Sequence, residues 1–200
     1  MEPALQPIAP PPPSPLRDDA LERAFRAHHT LVYHAAFRVT GNAADAEDAI
    51  QTVFLRLARR AGGISAIEAS PAYLCRAAVN AALDVLRAKQ RQGAVGIGRH
   101  QRDDGSAPEA ADPTPPADDR IHVAQLRKAL RQALVELHPQ AAEAFVLRSF
   151  EGWSNPEIAR LFGTSQAVIA VTVYRARRRL RKQLGPLVGL STTNSPEPLV

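Results

Sequence analysis

The sequence predicts an all-α protein: two small helical domains joined by a flexible linker, the C-terminal one a helix-turn-helix. Three observations lead there. Apolar residues recur at helical spacing through two long stretches. Aromatic residues make up only 5% of the chain, while alanine, leucine and arginine are abundant. Between the two periodic stretches, Gly93 to Asp118 is rich in Gly, Pro, Ala and acidic residues and has no periodicity, which is the composition of a linker.

Residues 1–15 contain seven prolines and few large apolar groups, so they read as a disordered or polyproline-like tail. The first domain is expected over 16–92. Its first helix runs from about Asp19 to Thr40, carries Leu21, Phe25, Leu31, Val32, Ala35, Ala36 and Val39, and ends at Gly41. Asn42 can cap the second, about Ala43 to Arg60, with Asp45 near its first turn. Ile50, Val53, Phe54 and Leu57 fall at i, i+3, i+4 and i+7 there, and Gly62 and Gly63 stop it. The opposite face is mixed: Asp45, Asp48, Gln51, Leu55, Arg56 and Arg59 project from it. An exposed Leu among charges fits a protein-docking face, and equally a helix packed on a fourth element. Ser70 and Pro71 open a third helix, about Ala72 to Ala88, burying Leu74, Ala77, Ala78, Ala81, Val85 and Leu86.

The second domain is expected over 119–188, with residues 189–200 a disordered tail. Ser154 with Glu157 fits a capping box, and Pro156 is tolerated in the first turn. Ile158, Leu161 and Phe162 make one apolar face, and Gly163 can end the helix. Thr164 or Ser165 caps the next, where Ile169, Val173, Ala176 and Leu180 form a second stripe. Small Ala159, the turn Gly163 and the anchor Ile169 come in the order a helix-turn-helix needs. An ordinary helical hairpin with a solvated basic face is the bland alternative. The arginine run that follows tips the reading toward duplex DNA.

Charge supports this. From Asp119 to Gly185, 12 Lys+Arg stand against 5 Asp+Glu, whereas residues 1–92 are nearly balanced at 11 against 9 and Gly93 to Asp118 is acidic. The attraction for a polyanion therefore sits in the C-terminal half. No run of eighteen apolar residues or apolar signal core exists, and the lone Cys75 allows no internal disulfide, which fits a reducing cytoplasm. Cys75 lies among apolar helical neighbours, as a buried inert thiol does. His28, His29 and His34 precede Asp45, Glu47 and Asp48 without metal-ligand spacing, and no nucleophile elbow, phosphate loop or Cys pair appears. No cofactor, metal site or catalytic residue is expected.

Two motif blocks carry a family resemblance. DAEDAIQTVFLRLARR (Asp45 to Arg60) followed by AYLCRAAVNAALDVLR (Ala72 to Arg87) resembles the second region of bacterial sigma factors. FVLRSFEGWSNPEIARLFGTS (Phe145 to Ser165) with YRARRRL (Tyr174 to Leu180) resembles the fourth region. The size and the missing intervening domain match the extracytoplasmic-function class. The resemblance implies a protein that binds core RNA polymerase, directs it to promoter DNA and helps open the duplex. It implies polymerase contacts at Asp45, Asp48, Gln51, Leu55 and Arg56. Asn80, Asp84 and Arg87 match the helix that approaches the melted strand, and the loop Gly62 to Ser70 matches the one that holds a flipped base. An anti-sigma factor is a further partner the class suggests.

The physics is compatible with those roles. Asn80, Asp84 and Arg87 share a helix face, and Arg87, Lys89 and Arg91 offer phosphate contacts. On the residues alone, Asp84 with Arg87 reads first as an ordinary i, i+3 ion pair on the helix surface. The recognition helix departs from the family: where a basic residue and a Ser-Arg pair are common, this chain has Ala170, Val171 and Thr172. Arg175, Arg177, Arg178, Arg179, Arg181 and Lys182 remain, and would mostly touch phosphate. Ser165, Gln166 and Thr172 are left to read base edges, so weaker or less selective reading of the upstream element is expected. Tyr73 stands where tryptophan is frequent, and the basic tail of the first domain is thin. The rival to a sigma factor is a stand-alone helix-turn-helix regulator of duplex DNA, which the C-terminal half alone would allow.

Overall fold

Gly41 makes the first sharp turn among the described residues. Its φ of 65° is a left-handed conformation that side chains disfavour, and a Cβ there would lie 2.5 Å from Arg131 Nη1. In this computed structural model, residues 15–59, 65, 67–94 and 117–188 are described. Gly41 separates α1 (Pro15–Thr40) from α2 (Ala43–Ala58), and α3 (Pro71–Ala94) completes the N-terminal half. The side chain of Asn42 accepts from the Asp45 N–H at 3.1 Å, the cap expected from the sequence. Val53, Phe54 and Leu57 of α2 are buried as their spacing requires, with Ile50 partly so. Gly62 and Gly63, where the stop is expected, residues 64 and 66 of the loop leading to Ser70, 1–14 and 189–200 of the two tails and 95–116 of the expected 93–118 linker lie outside the described residues, whereas Gly93 and Ala94 belong to α3 and Ala117 and Asp118 open the following helix.

The third helix is longer than expected and buried on more than one side. Leu74, Ala78 and Ala81 are covered as predicted, while Ala77, Val85 and Leu86 are only half-buried. Cys75, Val79, Ala82 and Leu83 are covered as well. A helix apolar around most of its circumference packs between two layers. Accordingly α3 contacts α1 and α2 on one side, and on the other α4 (Ala117–Val135) and α5 (Pro139–Ser149).

The C-terminal half is built around α5, in which all six residues from Ala142 to Leu147 are buried. The helix-turn-helix follows as α6 (Asn155–Phe162) and α7 (Gln166–Val188). Its capping box is complete: the Glu157 N–H donates to Ser154 Oγ, and the Ser154 N–H donates to Glu157 Oε2 at 2.8 Å. The Ser154 hydroxyl, and then the Ser154 N–H, both donating to Glu157 Oε2, hold the Glu157 carboxyl below the usual carboxylate range. Gly163 ends α6 at φ 64°. Ile158 and Ala159 of α6 and all four residues of the predicted α7 stripe, Ile169, Val173, Ala176 and Leu180, are buried. Ser154→Ala removes one side of the box and is expected to cost about 1 kcal/mol in urea unfolding. Because the Glu157 value is depressed, its contribution is present above the ordinary carboxylate range and is lost as pH falls through the folded value.

The two halves share one cluster of buried residues, joined through α3 and α5. Polar contacts cross the seam at Arg38 and at Arg76 with Asn80. Arg38 Nη1 lies 2.8 Å from Glu151 Oε2 and donates to the Phe150 carbonyl. Arg76 and Asn80 of α3 both donate to Glu143 Oε1 of α5, at 2.5 and 3.0 Å. Arg76 also donates to the Leu161 carbonyl and lies 4.3 Å from the centre of the Phe162 ring. No strand occurs among the described residues, and none of their helices is long and apolar enough to cross a membrane.

Candidate nucleic-acid interface

The helix-turn-helix presents α7 outward. With Ile169, Val173, Ala176 and Leu180 turned to the core, the remaining faces of the helix are open. Arg175, Arg177, Arg178, Arg179, Arg181 and Lys182 are all exposed, and no carboxylate among the described residues pairs with them. Six free cations within eight residues make a rod-like positive surface matched to a phosphate backbone. The opening turns of α7 are different. Ala167, Val168, Ala170 and Val171 are exposed and apolar, Val168 at 52% and Val171 at 47%.

The polar residues expected to read bases there are partly engaged by the helix itself. Ser165 Oγ accepts from the Val168 N–H at 3.3 Å and so acts as the cap. Thr172 Oγ1 donates to the Val168 carbonyl at 2.8 Å, and Thr172 is half-buried. Gln166 is exposed and has no internal partner among the described residues.

On α2, Asp48, Gln51, Leu55 and Arg56 are exposed, Leu55 at 52%. No fourth element among the described residues covers Leu55. Asp45 does not belong to that face, contrary to the expectation. It is 6% exposed, and Lys89 Nζ of α3 sits 2.7 Å from its carboxylate. The reason is its position three residues past the cap, which turns Asp45 toward α3 just where α3 passes with Lys89. Two residues assigned separately, one to polymerase and one to phosphate, thus pair with each other.

Along α3 the expected strand-binding residues divide. Asp84 and Arg87 form the i, i+3 ion pair at 3.1 Å, and Arg91 is exposed. Arg87 Nη2 is buried without a partner. Asn80 is half-buried, and its amide is held by Glu143 across the seam. Burial pushes the Glu143 carboxyl above the usual range, and Arg76, Asn80 and Arg87 offset part of that. A cleft of about 340 Å³ brings Arg56 together with Tyr73, Arg76 and Asn80 between α2 and α3. A second, about 350 Å³, lies between Arg23 and His28 of α1 and the described part of the 62–70 loop, at Ser65 and Ala69.

Sequence reasoning missed Arg76 and Glu143. Glu143 is a single carboxylate in an apolar run, which was the available signal, but its partners lie 63 and 67 residues away in the chain. Cys75 is buried as expected. Burial, and then the neighbouring Glu151, push its thiol up to about 12, far from the thiolate a nucleophile needs. His29 stacks on Phe25 and His34 meets the edge of Tyr33. Among the described residues no three His, Cys, Asp or Glu side chains converge.

Comparison with known proteins places both halves. Residues 24–92 match the family described as Sigma-70 region 2, and residues 127–180 the one described as Sigma-70, region 4. The chain is 36% identical over 169 residues to the RNA polymerase sigma factor CarQ of Myxococcus xanthus, covering 84% of this chain and 91% of that relative. It is 29% identical over 174 residues to the ECF RNA polymerase sigma factor SigM of Mycobacterium tuberculosis, covering 84% and 79%. Among solved structures, it aligns with the sigma factor RpoE of Bartonella quintana, solved in complex with the anti-sigma factor NepR, at 20% identity and a TM-score of 0.42. That alignment covers 84% of this chain and 96% of the other.

Proposed function

The chain belongs to the sigma-70 family as an RNA polymerase sigma factor of the extracytoplasmic-function class, and from that premise we propose how its two halves divide the work. The half spanning 16–92 docks on core polymerase through the exposed face of α2, with Leu55 the apolar centre and Asp48, Gln51 and Arg56 its polar rim. Asp45 serves that face indirectly, by fixing Lys89 and so the packing of α3 on α2. The half spanning 119–188 lays α7 in the major groove of the upstream promoter element. The tether is the part of 93–118 between α3 and α4, and 1–14 and 189–200 are tails outside the working parts. The protein acts in the cytoplasm as an initiation factor and performs no bond chemistry of its own. An anti-sigma factor is its expected regulator.

The observation that carries this reading is the unpaired cationic face of α7, directly following a capped helix-turn-helix. Asn80, Asp84, Arg87 and Arg91 serve the melted strand. Glu143 holds the Asn80 amide in this arrangement, so a strand gains that amide as a donor only once the contact with Glu143 is released.

Reconstitution with sigma-free core polymerase tests the proposal. Run-off transcription from a defined start site is expected, and a stand-alone regulator would not replace sigma in that assay. Leu55→Asp puts a charge at the centre of the docking face without touching the core, and is expected to weaken polymerase binding about 30-fold. Unchanged binding by the variant would move the docking face elsewhere.

A further inference from the structure

We propose that Val168 and Val171 read thymine methyl groups, so that this protein selects A·T pairs in its upstream element by apolar contact in place of hydrogen bonds to guanine. The proposal rests on the reading of α7 as the groove helix and adds what that helix recognises. A helix advances about 100° per residue, so Val171 lies about 200° from the buried Ile169 and faces straight out. Arg178, two turns later, points the same way. The centre line of the helix is therefore apolar in its opening turns and cationic beyond them.

A helix in the major groove touches base edges with its N-terminal residues and phosphates with those that follow. The apolar group a base pair offers on that edge is the C5 methyl of thymine. An apolar stripe continued by Arg175, Arg177, Arg178, Arg179, Arg181 and Lys182 complements a polyanion carrying such methyls, and suits no neutral or basic protein face. Both valines are stiff at χ1 in a helix, so their methyls are presented without loss of freedom on binding. The hydroxyls of Ser165 and Thr172 are engaged within the helix, because Ser165 caps it and Thr172 bonds back to Val168. Gln166, the unengaged polar side chain at the start, suits adenine, whose edge offers an acceptor and a donor together.

Holoenzyme reconstituted with the full chain would be presented with promoter duplexes randomised across the upstream element, and the bound fraction sequenced. Thymines are expected at one or two fixed positions. At each, deoxyuridine removes the methyl alone and is expected to weaken binding about fourfold, the effect of one buried methyl. Val171→Ala or Val168→Ala, both at exposed sites, should lower affinity for the thymine duplex and erase the uridine penalty at one position. 5-Methylcytosine should regain the same factor over cytosine there. Selection of guanine contacts, or binding indifferent to uridine in every duplex, overturns the proposal while leaving the sigma-factor reading intact. Failure of the holoenzyme to select any duplex sinks both.

Discussion

Changing Arg175, Arg178 and Arg179 together to alanine is expected to lower promoter affinity about a hundredfold at physiological salt. All three are exposed and free of internal partners among the described residues, so truncation disturbs little of the fold. Each cation that neutralises a phosphate releases counterions and adds about 0.9 to the slope of log affinity against log salt. Three lost contacts therefore lower the slope by about 2.7, and between about 1 M and 0.15 M salt that amounts to roughly two orders of magnitude. The loss should be nearly the same for matched and scrambled upstream sequences, because phosphate contacts position the helix without specifying bases. The check is a salt titration of holoenzyme binding to both duplexes. A variant with an unchanged slope would place the phosphate contacts elsewhere.

Much of this architecture was legible because amphipathic helices announce themselves. The stripe Ile169, Val173, Ala176 and Leu180 and the caps at Asn42 and Ser154 depend on spacings of a few residues, and every one is found in place. Helices α4 and α5 are not marked by the sequence pattern. In α5 all of Ala142 to Leu147 is buried, and a helix covered on every side has no period to detect. For the same reason only one face of α3 was anticipated, although Val79, Ala82 and Leu83 bury another. The candidate site was legible where residue type and exposure coincide, as for Leu55 and the arginines of α7. It failed where a long-range partner intervenes: Asp45 turns inward to Lys89, and Asn80 to Glu143. Nothing local in the sequence reveals a partner more than forty residues away.

Arg76→Ala is expected to shift the protein toward separated halves by about 3 kcal/mol, roughly a hundredfold in the equilibrium between joined and separated forms. Glu143 is 3% exposed and has Arg76 as its ion-pair partner, so losing that cation strands a buried carboxylate. The lower end of the usual range applies because the Arg76 side chain is itself 29% exposed. Relief is available without unfolding, since both donors to Glu143 come from the other half and separation returns the carboxylate to water. The expected signs are a larger radius of gyration in solution scattering and retained helicity by circular dichroism. Loss of helicity in step with expansion would mean the halves cannot stand apart. The pH dependence follows from the raised value of Glu143, whose joined form holds the proton more tightly. Joining is strongest at or below the ordinary carboxylate range and weakens as pH rises through the raised value. Glu143→Gln keeps an acceptor for Arg76 and Asn80 but cannot ionise, so it should flatten this dependence. A scattering profile of that variant as sensitive to pH as the parent's would assign the effect to another group.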